Sequence, residues 1–492
     1  MRLVDLIGPE AAPANFAELP VIGLSADSRA VGPGFLFAAL PGTKVDGRAY
    51  VAQAIAAGAV AVLAPEGTTL PAGAERIALI TDSEPRRRLA RMAARFYGRQ
   101  PHTIAAVTGT NGKSSVADFT RQLWTLLGTK AASIGTLGII VPGQPTRPSL
   151  TTPDPVALHQ TLAELAQAGI THLAIEASSH GIDQGRLDGL EISAAAFTNL
   201  TRDHLDYHGT MAAYFAAKKG LFERLLGDGG TAVLNADVPE AKGIEAIARS
   251  RGLAVLKVGA AACVELRLLL RLPEAGGQKL RLSHDGKTVE VRLPLLGAFQ
   301  ASNALVALGL VVACGASFVA AADKLAQLQG VPGRLQLVAE RSNGAKVFVD
   351  YAHAPDGIDT VLAAIRPHVA GRLAVVFGAG GDRDAGKRPL MGEAAQRHAD
   401  IVIVTDDNPR TEDAAKIRRH VLAGCSGARE IGDRAAAIRE ATAMLGPGDV
   451  LVVAGKGHEQ GQIVGTEIRP FDDATVSREA VAAADRLTGG RP

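Results

Sequence analysis

Short apolar runs recur along this chain, and the strongest of them end abruptly in polar clusters. Ile104–Val107 runs into GTNGKSS, His172–Ile175 into EASSH, Ala194–Phe197 into TNLTRDHLDYH, and Ala232–Leu234 into NADVP. The device returns later, with Val347–Val349 leading into DYAHAPDG, Leu373–Phe377 into GAGGDRDAGKRP, Ile401–Val404 into TDDNPRTED, and Val450–Val453 into AGKGHEQGQ. Helically spaced segments lie between the runs, so strands alternating with helices in mostly parallel sheets are expected. Ligands of open α/β sheets collect at the carboxyl ends of strands, and each set of polar ends is expected to share one crevice. Two such crevices are the simplest geometry for joining two substrates.

Outside these sets the pattern is weaker. Val21–Ser28 and Gly34–Leu40 read as strands with a hairpin-like turn at Gly32-Pro33-Gly34; Tyr50–Gly58 reads as an Ala-rich helix and Ala59–Ala64 as a further strand. Asp27-Ser28-Arg29, at the end of the first strand, is either a ligand grip or a solvated turn, and composition alone reads as the turn. Lys257–Pro294 carries shorter runs (LRLLLRL, LRLSH, VEVRL) that look antiparallel, and Phe299–Val312 is a helix carrying Asn303. The expected organisation is α/β throughout, in three domains. Residues 1–98 form a small N-terminal α/β domain, 99–332 a central, mostly parallel P-loop ATPase-like sheet, and 333–492 a C-terminal Rossmann-like α/β domain.

Composition narrows the partners. A chain of 492 residues exceeds what one core usually serves. With 47% hydrophobic and 21% charged residues and a net charge of +2, it is globular and has no basic surplus for nucleic acid. The cysteines, Cys263, Cys314 and Cys425, are odd in number and far apart, which suits reduced thiols better than a disulfide or metal framework. The start MRLVDLIGPE has no long apolar stretch, and no run reaches the roughly 18 apolar residues that cross a bilayer. The expectation is a cytoplasmic monomer acting on small molecules, with no membrane span.

The chemistry begins at Thr103–Ser115, TIAAVTGTNGKSS. Glycines at 109 and 112 let backbone N–H groups approach a phosphate, the following helix start attracts anions, Lys113 reaches the β/γ-phosphates, and a Ser hydroxyl can hold Mg²⁺. A standard P-loop has a glycine where Val107 stands, so this is a shortened variant. Glu176 ends one apolar run, and Asp203, His204, Asp206 and His208 crowd the exit of another. Carboxylate and imidazole beside a phosphate loop suit Mg²⁺, which takes few protein ligands. Zinc is the rival, because HLDYH spaces two histidines as on a zincin helix, but Leu205 occupies the glutamate position that HExxH requires.

In YFAAKKGLFERLL the apolar stripe Tyr214, Phe215, Leu221, Phe222 and Leu225 includes position 218, whereas Lys219 points away. An inward lysine has its pKa lowered by desolvation and can act as a neutral amine; a lysine snorkelling at the stripe's edge would not. Arg383 and Arg410 at two later strand ends offer bidentate carboxylate grips, and Glu459 can take an ammonium, together describing an amino-acid pocket.

These motifs resemble one family, the Mur ligases, ATP-dependent amino-acid-adding enzymes of bacterial cell-wall synthesis. TGTNGKSS, TTPDP at 151–155, EASSHG at 176–181, FTNLTRDHLDYHGT at 197–210, YFAAKKGLF at 214–222, the Asn303 helix, GR at 333–334 and VDYAHAPDG at 349–357 stand in the family's order across essentially the whole chain. DNPR at 407–410 looks like the mark of members that add meso-diaminopimelate to UDP-N-acetylmuramoyl-L-alanyl-D-glutamate. The resemblance implies that Gly109, Thr110, Asn111, Gly112, Lys113, Ser114 and Ser115 bind ATP, with Asn303, Arg334 and Asp350 as further nucleotide contacts. It implies Mg²⁺ held by Ser114, Glu176, His204 and a carbamylated Lys218, and catalysis by Lys113, Glu176, His204 and Lys218. Ser28, Thr151, Thr152, Ser178, Gln184 and Arg186 match contacts to the UDP-linked substrate. Arg383, Asp407, Asn408, Pro409, Arg410, Gly455 and Glu459 match the diaminopimelate pocket. The chain departs from the family pattern at Ala414, where a proline is usual, and in EAS for EVS and GAGG for GCGG.

The implied reaction phosphorylates the D-glutamyl side-chain carboxylate with ATP and lets the diaminopimelate amine displace phosphate, with domain closure as its gate. Its rivals are a lysine-adding relative, a folylpolyglutamate synthetase-type ligase, and a P-loop switch or binding protein that uses ATP only to change shape.

Overall fold

In the computed structural model, which describes residues 1–8, 13–42, 45–274 and 276–488, the first apolar runs form a four-stranded parallel sheet. Its strands are β1 (Gly23–Ser25), β2 (Phe35–Ala38), β3 (Ala61–Pro65) and β4 (Ala78–Asp82), side by side in chain order. Both faces are covered. Leu36, Ala38, Ala61 and Leu63 pack into one core with Leu3, and Phe37, Val62 and Ala64 pack into another with Val51. Burial on both faces is why β2 and β3 read as unbroken apolar runs with no polar alternation.

The hairpin expected between residues 21 and 40 does not form: β1 and β2 pair in parallel, Gly23 opposite Phe35. A 3-10 turn, Ser28–Ala30, capped by the Asp27 carboxylate on Arg29 N, turns the chain away, and Gly34 at φ 80° brings it back to start β2 in the same direction as β1. The strand at β4 and the helix Pro85–Tyr97 were not legible among weak signals.

The second sheet holds β5 (Thr103–Thr108), β6 (Ala131–Gly135), β7 (Gly138–Ile140), β8 (His172–Glu176), β9 (Ile192–Phe197), β10 (Leu226–Asn235) and β11 (Ala254–Gly259). They lie in the order β11-β10-β9-β5-β8-β6-β7, parallel except for the β6–β7 pair. The strands ending in NADVP, TNLTRDH, GTNGKSS and EASSH are thus four neighbours, and their polar ends share one edge as the pattern predicts. The expected antiparallel excursion is smaller than its sequence range. Lys257 belongs to β11, which runs parallel to β10 after the helix Ala241–Ser250, and β12 (Leu266–Glu274) starts parallel to β11. β13 (Gly277–His284), the neighbour of β12, pairs with β14 (Lys287–Leu293) as an antiparallel hairpin.

By contact density the chain divides into two units: residues 1–267 with 306–321, and residues 268–305 with 322–492. The second unit contains a further sheet of β15 (Gln336–Glu340), β16 (Lys346–Asp350), β17 (Leu373–Phe377), β18 (Ile401–Val404), β19 (Arg429–Glu430) and β20 (Val450–Ala454). Their order is β15-β16-β20-β17-β18-β19, and only the β15–β16 pair is antiparallel. Side chains alternate between two cores: Phe348, Val375, Phe377 and Val452 face one, and Val347, Val349, Val376 and Val453 face the other. A small hairpin, β21 (Gly461–Val464) and β22 (Glu467–Pro470), follows β20.

One buried ion pair ties this sheet to its helices. Arg434 and Asp473 meet at 2.7 Å with both side chains 0% exposed, and Arg434 Nη2 also donates to Ala454 O at the end of β20. Asp473→Ala leaves the guanidinium buried without its carboxylate, which costs about 3–5 kcal/mol. Urea unfolding of the intact chain is expected to show that loss; a wild-type midpoint would contradict it.

Candidate functional site

The loop after β5 is shaped by what its glycines touch. A Cβ on Gly109, at φ 148°, would lie 1.9 Å from Thr198 Oγ1 at the end of β9, so two backbones approach there as only glycine permits. Gly112, at φ 87°, is the N-cap of the helix Lys113–Leu126, so the helix starts directly from the loop and its positive dipole end lies there. Val107, where a standard P-loop has glycine, is still inside β5, paired with Glu176 on β8 and Ala196 on β9. The loop is short because the strand runs on through that position.

The segment after β9 holds the loop. Thr198 Oγ1 donates to Asn111 O at 2.6 Å, Thr110 N to Asn199 O at 2.9 Å, Asn111 N to Asn199 Oδ1 at 2.9 Å, and Thr201 N to Thr110 Oγ1 at 2.9 Å. Lys113 Nζ donates to the carbonyls of Gly109 (2.9 Å) and Thr110 (2.7 Å). Ser114 and Ser115 are buried at the first turn of the helix.

Lys218 comes to the same loop from the helix Met211–Gly220. It is 1% exposed, as its place on the apolar stripe predicts, and its Nζ donates to Gly109 O at 2.7 Å over the Tyr214 ring. Burial first, and the Lys113 cation second, hold its amine well below the usual lysine range. His204 is the N-cap of the one-turn helix Leu205–His208, at φ 53°, with its ring 6.0 Å from that of Tyr214 and 4.9 Å from that of His180. Burial, beyond the opposing pull of Asp203, lowers its pKa and so favours the neutral imidazole. The helix is too short for the zincin arrangement, and His208 Nε2 instead meets Ser179 Oγ at 3.0 Å.

Glu176, 2% exposed, ends β8 and is held by Thr136: Thr136 N donates to Oε1 at 2.8 Å and Thr136 Oγ1 meets Oε2 at 3.3 Å. Gly135 leaves room for it, since a Cβ there would sit 2.1 Å from Oε1. Ser114, Asp118, Ser133 and Glu176 line one small cavity. Oxygen donors from the loop helix and from β8 suit a hard cation that keeps most of its waters, and no cluster of three or more His, Cys, Asp or Glu that could hold a metal occurs among the described residues.

Five of the six residues matched to the UDP-linked substrate form one hydrogen-bonded net. Thr136 Oγ1 meets Thr151 Oγ1 at 2.9 Å, and Thr152 Oγ1 donates to Glu176 O at 2.9 Å and meets Ser178 Oγ at 3.0 Å. Arg186 Nη1 donates to Thr152 O at 2.8 Å and Nη2 to Gln184 Oε1 at 2.7 Å. Ser28 stands apart, donating to Gln53 Oε1 at 3.2 Å in the first sheet's turn.

The second unit carries two further groups. In one, Asn303 Nδ2 donates to Gln300 Oε1 (3.3 Å), Gln300 Nε2 donates to Arg334 O (3.1 Å), and the Arg334 guanidinium stacks 4.5 Å from the Tyr351 ring centroid. Asp350 accepts from Leu335 N (2.6 Å) and Ala352 N (2.7 Å), and burial outweighs these bonds and Arg334 to push its pKa up to about 6. The other gathers at the ends of β18 and β20. Asn408, buried like Asp407 and Pro409, bonds Glu459, and a Cβ on Gly455 would lie 2.5 Å from Asp407 Oδ2, which is buried without a hydrogen-bond partner. Arg410, at φ 51°, donates from Nη1 to Gly381 O at 2.7 Å, and Arg383 is exposed on the same loop as Gly381. Sequence reasoning gave no role to Thr136, to Thr198–Thr201 or to Lys456. The FTNLT motif was the available signal for the second; Thr136 acts on a residue forty positions away, and Lys456 bonds both nearby Glu459 and remote Asn408.

The comparisons agree along the whole chain. Residues 20–97 match the description "Mur ligase family, catalytic domain", 107–311 "Mur ligase middle domain", and 333–457 "Mur ligase, glutamate ligase domain". A relative from Caulobacter vibrioides named UDP-N-acetylmuramoyl-L-alanyl-D-glutamate--2,6-diaminopimelate ligase is 55% identical, covering 98% of this chain and 99% of its own. One of the same name from Bradyrhizobium diazoefficiens is 54% identical over the same shares. A solved structure of that name superposes with TM-score 0.75 at 34% identity over 100% of both chains. A MurF ligase from Thermotoga maritima in complex with ADP shares the fold, with TM-score 0.62 at 18% identity over 95% of this chain and 97% of that one.

Gly109→Ala forces a methyl group into Thr198 Oγ1 and is expected to weaken ATP binding by ~10-fold or more, about 1.4 kcal/mol, without unfolding the sheet. Titration with a fluorescent ATP analogue alongside circular dichroism checks this; unchanged affinity would contradict the close approach.

Proposed function

Because the chain belongs to the Mur ligase family, we propose that it joins meso-2,6-diaminopimelate to UDP-N-acetylmuramoyl-L-alanyl-D-glutamate, the substrates in its relatives' name, at the expense of ATP. It is an ATP-dependent, amide-bond-forming ligase of peptidoglycan precursor synthesis. The observation that carries the reading is the loop Gly109–Ser115 with the buried Lys218 amine on its Gly109 carbonyl. A simple phosphate-binding switch has no use for a desolvated amine there.

In this reading residues 1–98 and the Thr151–Arg186 net receive the UDP-linked substrate, 99–332 carries ATP, and 333–492 carries the amino acid. The D-glutamyl side-chain carboxylate oxygen attacks the γ-phosphorus of ATP; the new O–P bond forms as the bond to the β-phosphate oxygen breaks, giving an acyl phosphate and ADP. Lys113 and the loop amides spread the phosphate charge. The neutral amine of diaminopimelate then attacks the acyl carbon, the C–O bond to phosphate breaks, and the amine proton passes to solvent. Holding acyl phosphate and amine together supplies proximity and limits hydrolysis. Ser114 and Glu176 are the residues that would hold Mg²⁺, which supplies charge neutralisation on the phosphates. Lys218 would react with dissolved CO₂: its nitrogen lone pair forms the N–C bond, a proton is lost, and a carbamate replaces the amine. His204, beside Tyr214, would orient this group.

In the second unit Asn303, Arg334 and Asp350 would serve the nucleotide. Arg383 and Arg410 would grip the diaminopimelate carboxylates, with Asp407, Asn408, Pro409, Gly455 and Glu459 completing the pocket. Among the described residues no helix is long and apolar enough to cross a membrane. The proposed enzyme works in the cytoplasm, as a monomer.

Phosphate release from ATP is expected only when both the UDP-dipeptide and diaminopimelate are present, with lysine a poor replacement; release with a folate acceptor, or with none, would refute the reading. Arg410→Lys loses a bidentate grip worth about 1.5–3 kcal/mol. It is expected to raise KM for diaminopimelate by ~10-fold or more with KM for ATP nearly unchanged, and equal effects on both would contradict the pocket. Lys218→Ala is expected to abolish ligation and to regain part of it with small carboxylic acids; no regain would count against a carbamate.

A further inference from the structure

Lys456 follows Gly455 just beyond the end of β20, is 0% exposed, and has no part in the reading above. Its Nζ donates to Asn408 Oδ1 at 3.0 Å and to Glu459 Oε2 at 3.1 Å. Asn408 Nδ2 in turn donates to the same Glu459 Oε2 at 3.0 Å. Each of the three side chains is therefore bonded to the other two. Asn408 Oδ1 also accepts Ile463 N at 2.9 Å, so two donors face that corner of the amide and its orientation is fixed: oxygen toward Lys456, NH₂ toward Glu459.

The triangle is not a sealed piece of core. The Arg434–Asp473 pair of the same unit has both side chains 0% exposed, whereas the Glu459 side chain is 35% exposed while Lys456 behind it is fully covered. The bonds from Asn408 and Lys456 both reach Oε2, the oxygen turned toward the covered lysine. A lysine is an expensive way to fill such a space, because a buried ion pair is often replaceable by apolar side chains with no loss of stability. What the ammonium does supply is a fixed cation behind a carboxylate that faces outward. Freezing a flexible Glu and an Asn amide before the ligand arrives removes that ordering cost from binding.

We propose that Lys456 is a positioning residue for the amino-acid substrate: it locks Asn408 and Glu459 in the orientation that receives the substrate's ammonium group. The inference rests on the assignment of this pocket to the amino acid. Lysine at 456 acts through Asn408 and Glu459 and does not itself touch the substrate.

The test compares steady-state kinetics of the full-length enzyme with diaminopimelate and ATP varied in turn. Wild-type ligation of diaminopimelate is the control for the pocket assignment, and its absence would sink that assignment whatever the variants do. Given that activity, Lys456→Met is expected to raise KM for diaminopimelate by roughly 10-fold or more and to leave KM for ATP within about twofold. Combined with Glu459→Gln, it is expected to add nothing beyond Glu459→Gln alone, since both break the same unit. An unchanged KM for diaminopimelate, equal rises for both substrates, or losses that multiply in the double variant would each overturn the proposal. Glu459→Asp gives an independent reading should Lys456→Met fail to fold. It keeps the charge on a partly exposed side chain but withdraws it from both anchors, and is expected to raise KM for diaminopimelate as Glu459→Gln does; a wild-type KM would overturn the proposal.

Discussion

The close approach of Gly109 to Thr198 is the constraint on which the first unit's chemistry depends. Two parallel strands, β5 and β9, lie side by side, and the turns leaving them are bonded to each other by backbone and side-chain groups from Thr110, Asn111, Thr198, Asn199 and Thr201. That interlock fixes where the loop's carbonyl oxygens point, and the two lysines then follow. Lys113 folds back onto the carbonyls of Gly109 and Thr110, and Lys218 arrives from another helix at the Gly109 carbonyl. Two ammonium groups on one carbonyl repel each other, and the one that burial already disfavours gives way. The lowered basicity of Lys218 is therefore a consequence of the loop's geometry as well as of the helix stripe that buries it.

Much of this was legible in the sequence, for reasons that differ by element. The strand ends could be read because parallel strands buried on both faces leave unbroken apolar runs, and the polar residues after them have nowhere to go but the sheet's edge. Lys218 could be read because helical spacing places it among Tyr214, Phe222 and Leu225, and those residues are buried with it. The first hairpin could not: whether two short strands pair in parallel or antiparallel depends on the turn between them. Here the Asp27 cap and Gly34 decide it, and neither is strong evidence alone. Thr136 and Lys456 were invisible for a related reason. Thr136 acts on Glu176, forty residues away, and Lys456 on Asn408, forty-eight away, so their roles exist only once the strands are in register.

The second unit repeats the strategy with different chemistry. Its strand ends present Asp350, the Asp407–Arg410 segment and the Gly455–Glu459 segment, and the backbone is bent there to fit them. Leu335 and Arg410 both take positive φ without being glycine, one beside the Asp350 carboxylate and the other beside Gly381. Such conformations cost of order 1–3 kcal/mol each and persist where the surroundings over-determine them. Their surroundings are hydrogen bonds to carboxylate or carbonyl groups at strand ends, which is where a ligand of a parallel sheet is received.

The buried charges of the molecule separate by how completely they are paired. Arg434 and Asp473 are both sealed, and the guanidinium also has a backbone carbonyl, so nothing is left for a ligand to satisfy. Glu176 has its donors from Thr136 but also faces a cavity shared with Ser114. Asp407 keeps one buried oxygen with no hydrogen-bond partner, and Glu459 is held from behind by Lys456 while its side chain stays partly exposed. A folded chain under selection for stability alone would close these groups as it closed Arg434 and Asp473, since an unsatisfied buried oxygen costs about 1–3 kcal/mol. Glu176, Asp407 and Glu459 all stand at or just beyond the carboxyl ends of parallel strands, whereas the sealed Arg434–Asp473 pair joins helix starts to the end of β20. The charge left open to a ligand therefore lies where a parallel sheet receives one.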